Sequence, residues 1–182
     1  FVVGDIYLGT VKKVVQGLNA AFIDIGYEKD AFLHYLDLGP KFSSLQKFTK
    51  LVRTKKVTGG KLDKFQLEKE IDKHGKIGQQ LSRNQLLPVQ VVKEPISTKG
   101  PRLSCELSIA GRYLVLVPFS SGVNVSKRIS SSEERKRLQR LIQSIKPENF
   151  GVIIRTVAEG KEVAELDKDL RTLVKTWDEG VA

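Results

Sequence analysis

Apolar positions along the chain follow two periods. "DIYLGTVKKVV" is rich in β-branched and aromatic residues and partly alternates, and after the turn "QGLN" come the short runs "AAFIDIG" and "AFLH". Three such runs joined by tight turns predict a small antiparallel barrel. Further strands are predicted at "LLPVQVVKE" and, beyond the turn "EPISTKGP", at "RLSCELSI". Pro88 has no N–H for a ladder, which places it at a strand start or an edge. Between Gly39 and about Leu81 the period changes: Leu45, Phe48, Leu51 and Val52 share one helical face, and Leu62, Phe65 and Ile71 fit a second less well. This insertion is expected to add helices outside the barrel.

After about Ser104 the pattern is different. "AGRYLVLVPF" reads as one nearly continuous apolar strand, followed by "NVSKRI". "SSSEERKRLQRLIQSIKP" carries a capping-box signature, Ser131 with Glu134 three residues on, and Pro147 lies beyond its end, so a helix is predicted there. The strand "FGVIIRT" comes next. In "KEVAELDKDLRTLVKTW", Val163, Leu166, Leu170, Leu173, Val174 and Trp177 form one apolar stripe of a second helix. The expected class is mixed: a barrel domain over 1–103 with an insertion at about 39–83, packed against an α+β domain over 104–182. No fixed-period repeat and no low-complexity linker interrupts the chain.

Composition narrows the function. The chain of 182 residues is 40% hydrophobic and 29% charged, a globular balance, and no apolar run reaches the length of a membrane span. No signal-peptide pattern opens it, so a cytoplasmic location is expected. It contains no Met, which suggests a segment of something longer. The formal charge is +10, which favours polyanionic partners. Much of it sits between Lys41 and Gln80, where eleven Lys or Arg face four Asp or Glu, and a second basic cluster runs from Lys127 to Arg140. Each run alone could be a solvated surface. Two clusters followed by an acidic tail have the outline of a nucleic-acid footprint.

The usual catalytic patterns are missing. There is no Gly-rich phosphate loop with its lysine and no paired-cysteine zinc spacing, and His34 and His74 lack a carboxylate at metal-ligand spacing. The single Cys105 sits in "RLSCELSI" as a small hydrophobe would. No residue is assigned a catalytic role, and no cofactor is expected in the segment. Phe22, Phe32 and Tyr35 are spaced so that neighbouring strands could present rings to the bases of a single-stranded nucleic acid, with Lys12, Lys13, Lys99 and Arg102 on its phosphates. From spacing alone, core is the favoured place for these phenylalanines. Arg155-Thr156 ends an apolar strand with a guanidinium beside a hydroxyl, either an ordinary surface pair or one wall of a phosphate pocket.

These residues carry a family resemblance. "GDIYLGTVKKVVQGLNAAFIDIGYEKDAFLH" resembles the opening of the S1 domain, an OB-fold RNA binder, of the ribonuclease E/G family of bacterial endoribonucleases. The likeness continues through "QVVKEPISTKGPRLS", "SIAGRYLVLVPF", "VSKRI" and "GVIIRT", covering nearly the whole chain apart from the insertion. It implies an S1-type OB-fold domain with a helical basic insertion, next to an α+β domain like the family's 5′ sensor.

The resemblance also implies roles. Phe22, Phe32 and Lys99 match RNA-binding positions of the S1 domain. Arg155 and Thr156 match the pair that grips a terminal 5′-monophosphate, Gly111 and Val115 match positions whose backbone supports the terminal nucleotide and the sensor pocket, and Lys127 with Arg128 match a basic stretch of the sensor. Lys127 stands where the family has arginine, which puts a two-pronged contact there in doubt. A pocket of that size would admit a monophosphate, exclude a triphosphate, and leave its arginine unpaired against a hydroxyl end. In the family, carboxylates in a DNase I-like domain further along hold magnesium, paired cysteines of a zinc link follow it, and two pieces of an RNase H-like subdomain flank the S1 domain and sensor. None of these motifs lies in this chain, so the resemblance implies an inactive recognition segment of an RNA-cleaving hydrolase, a homo-oligomer at full length, acting on single-stranded RNA with a 5′-monophosphate. The competing expectation is a non-enzymatic S1-type RNA-binding module or a ribosome-associated scaffold.

Overall fold

Strand β1, Ile6–Val15, is long enough to pair with two neighbours in succession. In a computed structural model describing residues 2–96 and 98–181, its first half runs antiparallel to β4, Leu86–Lys93, and its second half to β2, Ala20–Asp24. With β3, Ala31–His34, and β5, Arg102–Ser104, the strands close into a barrel in the order β1-β2-β3-β5-β4. Closure is by a parallel pairing of β3 with β5, so the barrel is not wholly antiparallel as its tight turns suggested. Two consecutive β strands joined by a short turn must run antiparallel, but the closing pair is separated by the insertion and is free of that constraint. Pro88 sits where β4 pairs with β1 alone, because β5 reaches only Gln90 and beyond. The alternation of β1, β2 and β4 sends Val11, Ile23, Leu87, Val89 and Val91 inward, where with Leu33 and Leu103 they are essentially fully buried. Each contributes roughly 1.5–3 kcal/mol of burial.

The chain divides into two units: residues 1–53 with 68–107, which hold the barrel, and residues 54–67 with 108–182. In the first unit the predicted helix of the insertion is α1, Phe42–Arg53, with Leu45 and Phe48 buried. The second predicted helical face does not form; beyond α1 the insertion adds only the single turn α2, Ile77–Gln80. Asn19 explains how that turn is held. In the left-handed conformation, its side chain donates to Gly75 O at 3.1 Å and accepts the Ile77 N–H at 2.7 Å.

In the second unit the strand order is β6-β7-β9-β8, with β6 Ile109–Ala110, β7 Leu114–Pro118, β8 Val123–Val125 and β9 Phe150–Ile154. "AGRYLVLVPF" is therefore two strands around a turn rather than one. Helix α3, Ser132–Ile145, connects the parallel pair β8 and β9, and α4, Val163–Val181, follows. Leu114, Leu116, Val152 and Ile154 from the sheet share the core with Leu138 and Ile142 of α3 and Leu166, Leu170 and Leu173 of α4. Val163, expected on that stripe, is exposed. Ser131 caps α3 by accepting the Glu134 N–H at 3.3 Å, but Glu134 does not return the bond and is used elsewhere.

Residues 54–67 follow α1 as a series of turns and irregular backbone, pinned against the end of α4. Trp177 Nε1 donates to Gly60 O at 2.8 Å, Gly60 N donates to Asp178 Oδ1 at 2.5 Å, and Asn149 Nδ2 donates to the carbonyls of Leu62 and Phe65. A Cβ at Gly60 would lie 2.5 Å from the Trp177 ring. Leu62 is fully buried, and Phe65 stands 5.6 Å from Phe119, which in turn meets Trp177 at 6.0 Å. Side chain and backbone bonds from Asn149, Trp177 and Asp178 thus replace the helical ladder that the spacing of Leu62, Phe65 and Ile71 suggested.

Candidate nucleic-acid interface and anion site

On the outside of the barrel the register places a line of side chains across all five strands. Lys13 on β1 is opposite Phe22 on β2, Phe22 is opposite Phe32 on β3, Phe32 is opposite Arg102 on β5, and Arg102 is opposite Lys93 on β4. The result is a row of two rings flanked by cations. Both rings are half-buried, and they meet edge to face, 5.8 Å between centroids at 64°. They are therefore not barrel core, whose inward positions on the same strands are Ile23 and Leu33. Rings so fixed offer rigid stacking surface, and cations on either side suit a phosphate backbone.

Local structure accounts for each flanking cation. The ladder between β1 and β2 slips between Val11 and Lys13, a bulge that leaves Lys12 and Lys13 both exposed. Arg102 is held by Asp37, Nε to Oδ2 at 3.1 Å and Nη2 to Oδ1 at 3.4 Å, a two-pronged pair that fixes the guanidinium beside Phe32. Lys99 is exposed on the β4–β5 hairpin, bridged to Ile96, and the next residue brings that hairpin against β3: a Cβ at Gly100 would lie 2.2 Å from Asp30 O. Tyr35 does not belong to this surface. It is buried, and its hydroxyl donates to Asp72 O.

The second site lies at the end of β9. Arg155 leaves the strand to cap a 3-10 turn, Thr156–Ala158, and its Nη1 donates to Gly111 O at 2.8 Å and Arg112 O at 3.4 Å. Among the described residues its Nε and Nη2 take no partner and no carboxylate pairs with it. Thr156 Oγ1 lies 2.8 Å from Ser126 Oγ, which also accepts the Arg128 N–H at 3.3 Å. Lys127 and Arg128 follow on the same turn, exposed and without an ion pair among the described residues. Val115 is half-buried on the open face of the sheet opposite Ile153, which is 41% exposed. The structure therefore gathers Arg155, Thr156 and the 126–128 turn around one strand end, with Gly111 joined to Arg155 through its carbonyl.

Two supports of this site were not apparent in the sequence. Arg135 on α3 donates to Ser126 O at 2.6 Å, Ile129 O at 3.1 Å and Val125 O at 3.3 Å, stapling the turn that carries Lys127 and Arg128. Glu134 takes Arg137 at 2.5 and 3.0 Å and also accepts the Gly160 N–H, while Arg137 donates to Lys161 O at 2.9 Å. The Arg137 guanidinium first, and the Gly160 N–H second, pull the Glu134 carboxyl down to about 2. This carboxylate fixes the loop following the Thr156 turn.

Among the described residues no three His, Cys, Asp or Glu side chains come together to hold a metal ion. Cys105 is buried, and burial, then the charges of Asp37 and Glu106, push its thiol up, away from the thiolate that nucleophilic chemistry needs. No described helix is long and apolar enough to cross a membrane.

Known proteins resemble the chain along nearly its whole length. The profile of the Ribonuclease E/G family matches residues 108–182. Ribonuclease E of a Nostoc species is 40% identical over 177 residues, covering 97% of this chain and 22% of that protein. Ribonuclease G of Escherichia coli K12 is 40% identical over 176 residues, covering 97% of this chain and 32% of that protein. The chain thus spans between a fifth and a third of the length of these curated relatives. The solution structure of GSP13 from Bacillus subtilis overlaps 58% of this chain and 55% of its own at 20% identity, with a TM-score of 0.33. That overlap is too loose to add to the barrel defined by its own strand pairings.

Proposed function

The chain belongs to the ribonuclease E/G family, and from that premise we propose that it is the RNA-recognition segment of an endoribonuclease of RNA processing and decay. The barrel binds single-stranded RNA by stacking bases on Phe22 and Phe32, with Lys13, Lys99 and Arg102 on its phosphates. The end of β9 senses a 5′-monophosphate. Arg155 offers its remaining N–H groups to the phosphate oxygens, the Thr156 hydroxyl adds a further bond, Lys127 and Arg128 supply charge, and Val115 supports the terminal nucleotide. A phosphodiester-cleaving centre, with the magnesium it requires, would belong to other parts of a longer, cytoplasmic, oligomeric protein.

The observation that carries the reading is the half-satisfied guanidinium of Arg155. Two backbone carbonyls occupy Nη1 and fix its plane, and its other donors point to no protein group among the described residues. A phosphate accepts parallel N–H bonds from a guanidinium, and hydrogen bonds to a charged group contribute about 1.5–3 kcal/mol. A hydroxyl end offers no such acceptor. The test is a titration of the chain, at one fixed salt concentration, with oligoribonucleotides of one sequence ending in 5′-monophosphate, 5′-triphosphate or 5′-hydroxyl. Tightest binding of the monophosphate is expected; equal affinity for all three ends refutes terminal sensing and leaves only the barrel's contribution.

A further inference from the structure

The turn between β6 and β7 has an unusual arrangement of peptide groups. Asp169, on α4, accepts three successive backbone N–H groups: Arg112 on Oδ1 at 3.2 Å, and Tyr113 and Leu114 on Oδ2 at 2.9 and 3.0 Å. The carbonyls of the same three peptide groups face the end of β9. Gly111 O and Arg112 O accept from Arg155 Nη1, and Tyr113 O accepts the Arg155 N–H at 2.8 Å. Each peptide group between residues 111 and 114 therefore has its donor on a carboxylate and its acceptor on Arg155. A further bond, Gly111 N to Leu114 O at 2.7 Å, closes the turn.

We propose that Asp169 is a positioning residue for the anion site, acting on Arg155 through these three aligned peptide groups. A carboxylate on the N–H side polarises each peptide so that its carbonyl becomes a stronger acceptor, and hydrogen bonds in series reinforce one another. The guanidinium is then held at Nη1 by carbonyls that cannot rotate away, while its free edge stays open. The carboxylate itself is satisfied by three donors and shielded behind the turn, so it orients Arg155 without sitting against an incoming anion. Gly111 acquires a reason of its own. A Cβ there would lie 2.7 and 2.8 Å from the two oxygens of Asp169, so a side chain at this position would push the carboxylate off the turn. The role of Gly111 is to admit Asp169, in addition to any approach of its backbone to a ligand.

The inference rests on the reading of Arg155 as a terminal-phosphate ligand, and the test separates the two. In the free chain, the side-chain N–H signals of Arg155 are followed by NMR in the parent, in Asp169→Asn and in Gly111→Ala, with core amide shifts as the check on folding. Asparagine turns a donor toward donors, and alanine displaces the carboxylate while keeping its charge. Both variants are expected to release the Arg155 side chain and to cut the preference for 5′-monophosphate over 5′-hydroxyl RNA about tenfold. Affinity for the 5′-hydroxyl RNA is expected to stay within about twofold, and neither change is expected to add to Arg155→Ala. An Arg155 side chain as restrained in both variants as in the parent overturns the proposal, as does an equal loss of affinity for both RNA ends. If the parent shows no end preference, the reading of Arg155 fails, and the NMR comparison still decides whether Asp169 positions it.

Discussion

The two candidate surfaces are built in different ways. On the barrel, Phe22 and Phe32 are fixed by packing and strand register, Arg102 is paired with Asp37, and Lys13 and Lys99 are exposed. Such a surface suits any base and any stretch of backbone, because every base has a face to stack and every phosphate carries the same charge. At the end of β9 the polar groups themselves are fixed before any ligand arrives: Arg155 donates to the carbonyls of Gly111 and Arg112, Thr156 is bonded to Ser126, and Arg135 donates to the 126–128 turn. Contact with such a site depends on one chemical group in one geometry. The contrast teaches that affinity and discrimination can be built separately, affinity from area and charge and discrimination from donors fixed in advance.

Changes that strike one surface should leave the other's signature intact. The largest effect is expected from Phe22→Ala with Phe32→Ala, which removes about 1–3 kcal/mol of stacking per base and lowers affinity for both kinds of RNA end by at least tenfold in fluorescence anisotropy, with the ratio between ends preserved. A loss confined to monophosphorylated RNA would break the separation. Thr156→Val keeps shape but removes the hydroxyl; the monophosphate preference should fall several-fold, about 1 kcal/mol, with no change for hydroxyl-ended RNA. Arg102→Ala is expected to weaken binding a few-fold regardless of the end and to reduce the slope of log K against log salt by about 1, a signature Thr156→Val should lack.

The smallest expected effect concerns pH. The Glu134 carboxyl is lowered in the folded chain to about 2, with Arg137 the first cause. Its contribution to stability is therefore complete above the ordinary carboxylate value of about 4.5 and is lost progressively as the pH falls from there toward 2. Thermal melts of the parent between those limits should decline more steeply than melts of Glu134→Gln, and the difference should vanish at the acid end. Identical pH profiles would show that this clamp on the loop after Thr156 contributes nothing.

Much of this arrangement could be read from residue order where the determinants are local. The barrel strands follow from alternation, α3 from Ser131 and Pro147, and α4 from Leu166, Leu170, Leu173 and Trp177. What escaped depends on contacts far apart in the chain. The parallel closure of β3 on β5 pairs Phe32 with Arg102 across the insertion. Leu62 and Phe65 look helical by spacing, yet their carbonyls are claimed by Asn149 more than 80 residues on. The candidate sites show the same division. Phe22, Phe32, Arg155 and Thr156 were apparent as residues; spacing alone favoured a core place for the two rings and only the family resemblance pointed to stacking, and the register puts both rings on the outside of the barrel. Nothing near Gly111 signals that Asp169 will occupy its turn, and the capping signature of Glu134 pointed to Ser131 when its side chain serves Arg137 and Gly160 instead.

The separation of affinity from discrimination is tested most directly by measuring the parent chain, Arg155→Ala and Phe22→Ala with Phe32→Ala against 5′-monophosphate and 5′-hydroxyl forms of one oligoribonucleotide at one salt concentration. The account predicts that Arg155→Ala binds both ends as the parent binds the hydroxyl end, and that the double phenylalanine variant binds both more weakly while keeping the parent's ratio. Loss of the ratio in the phenylalanine variant, or its survival in Arg155→Ala, would contradict it.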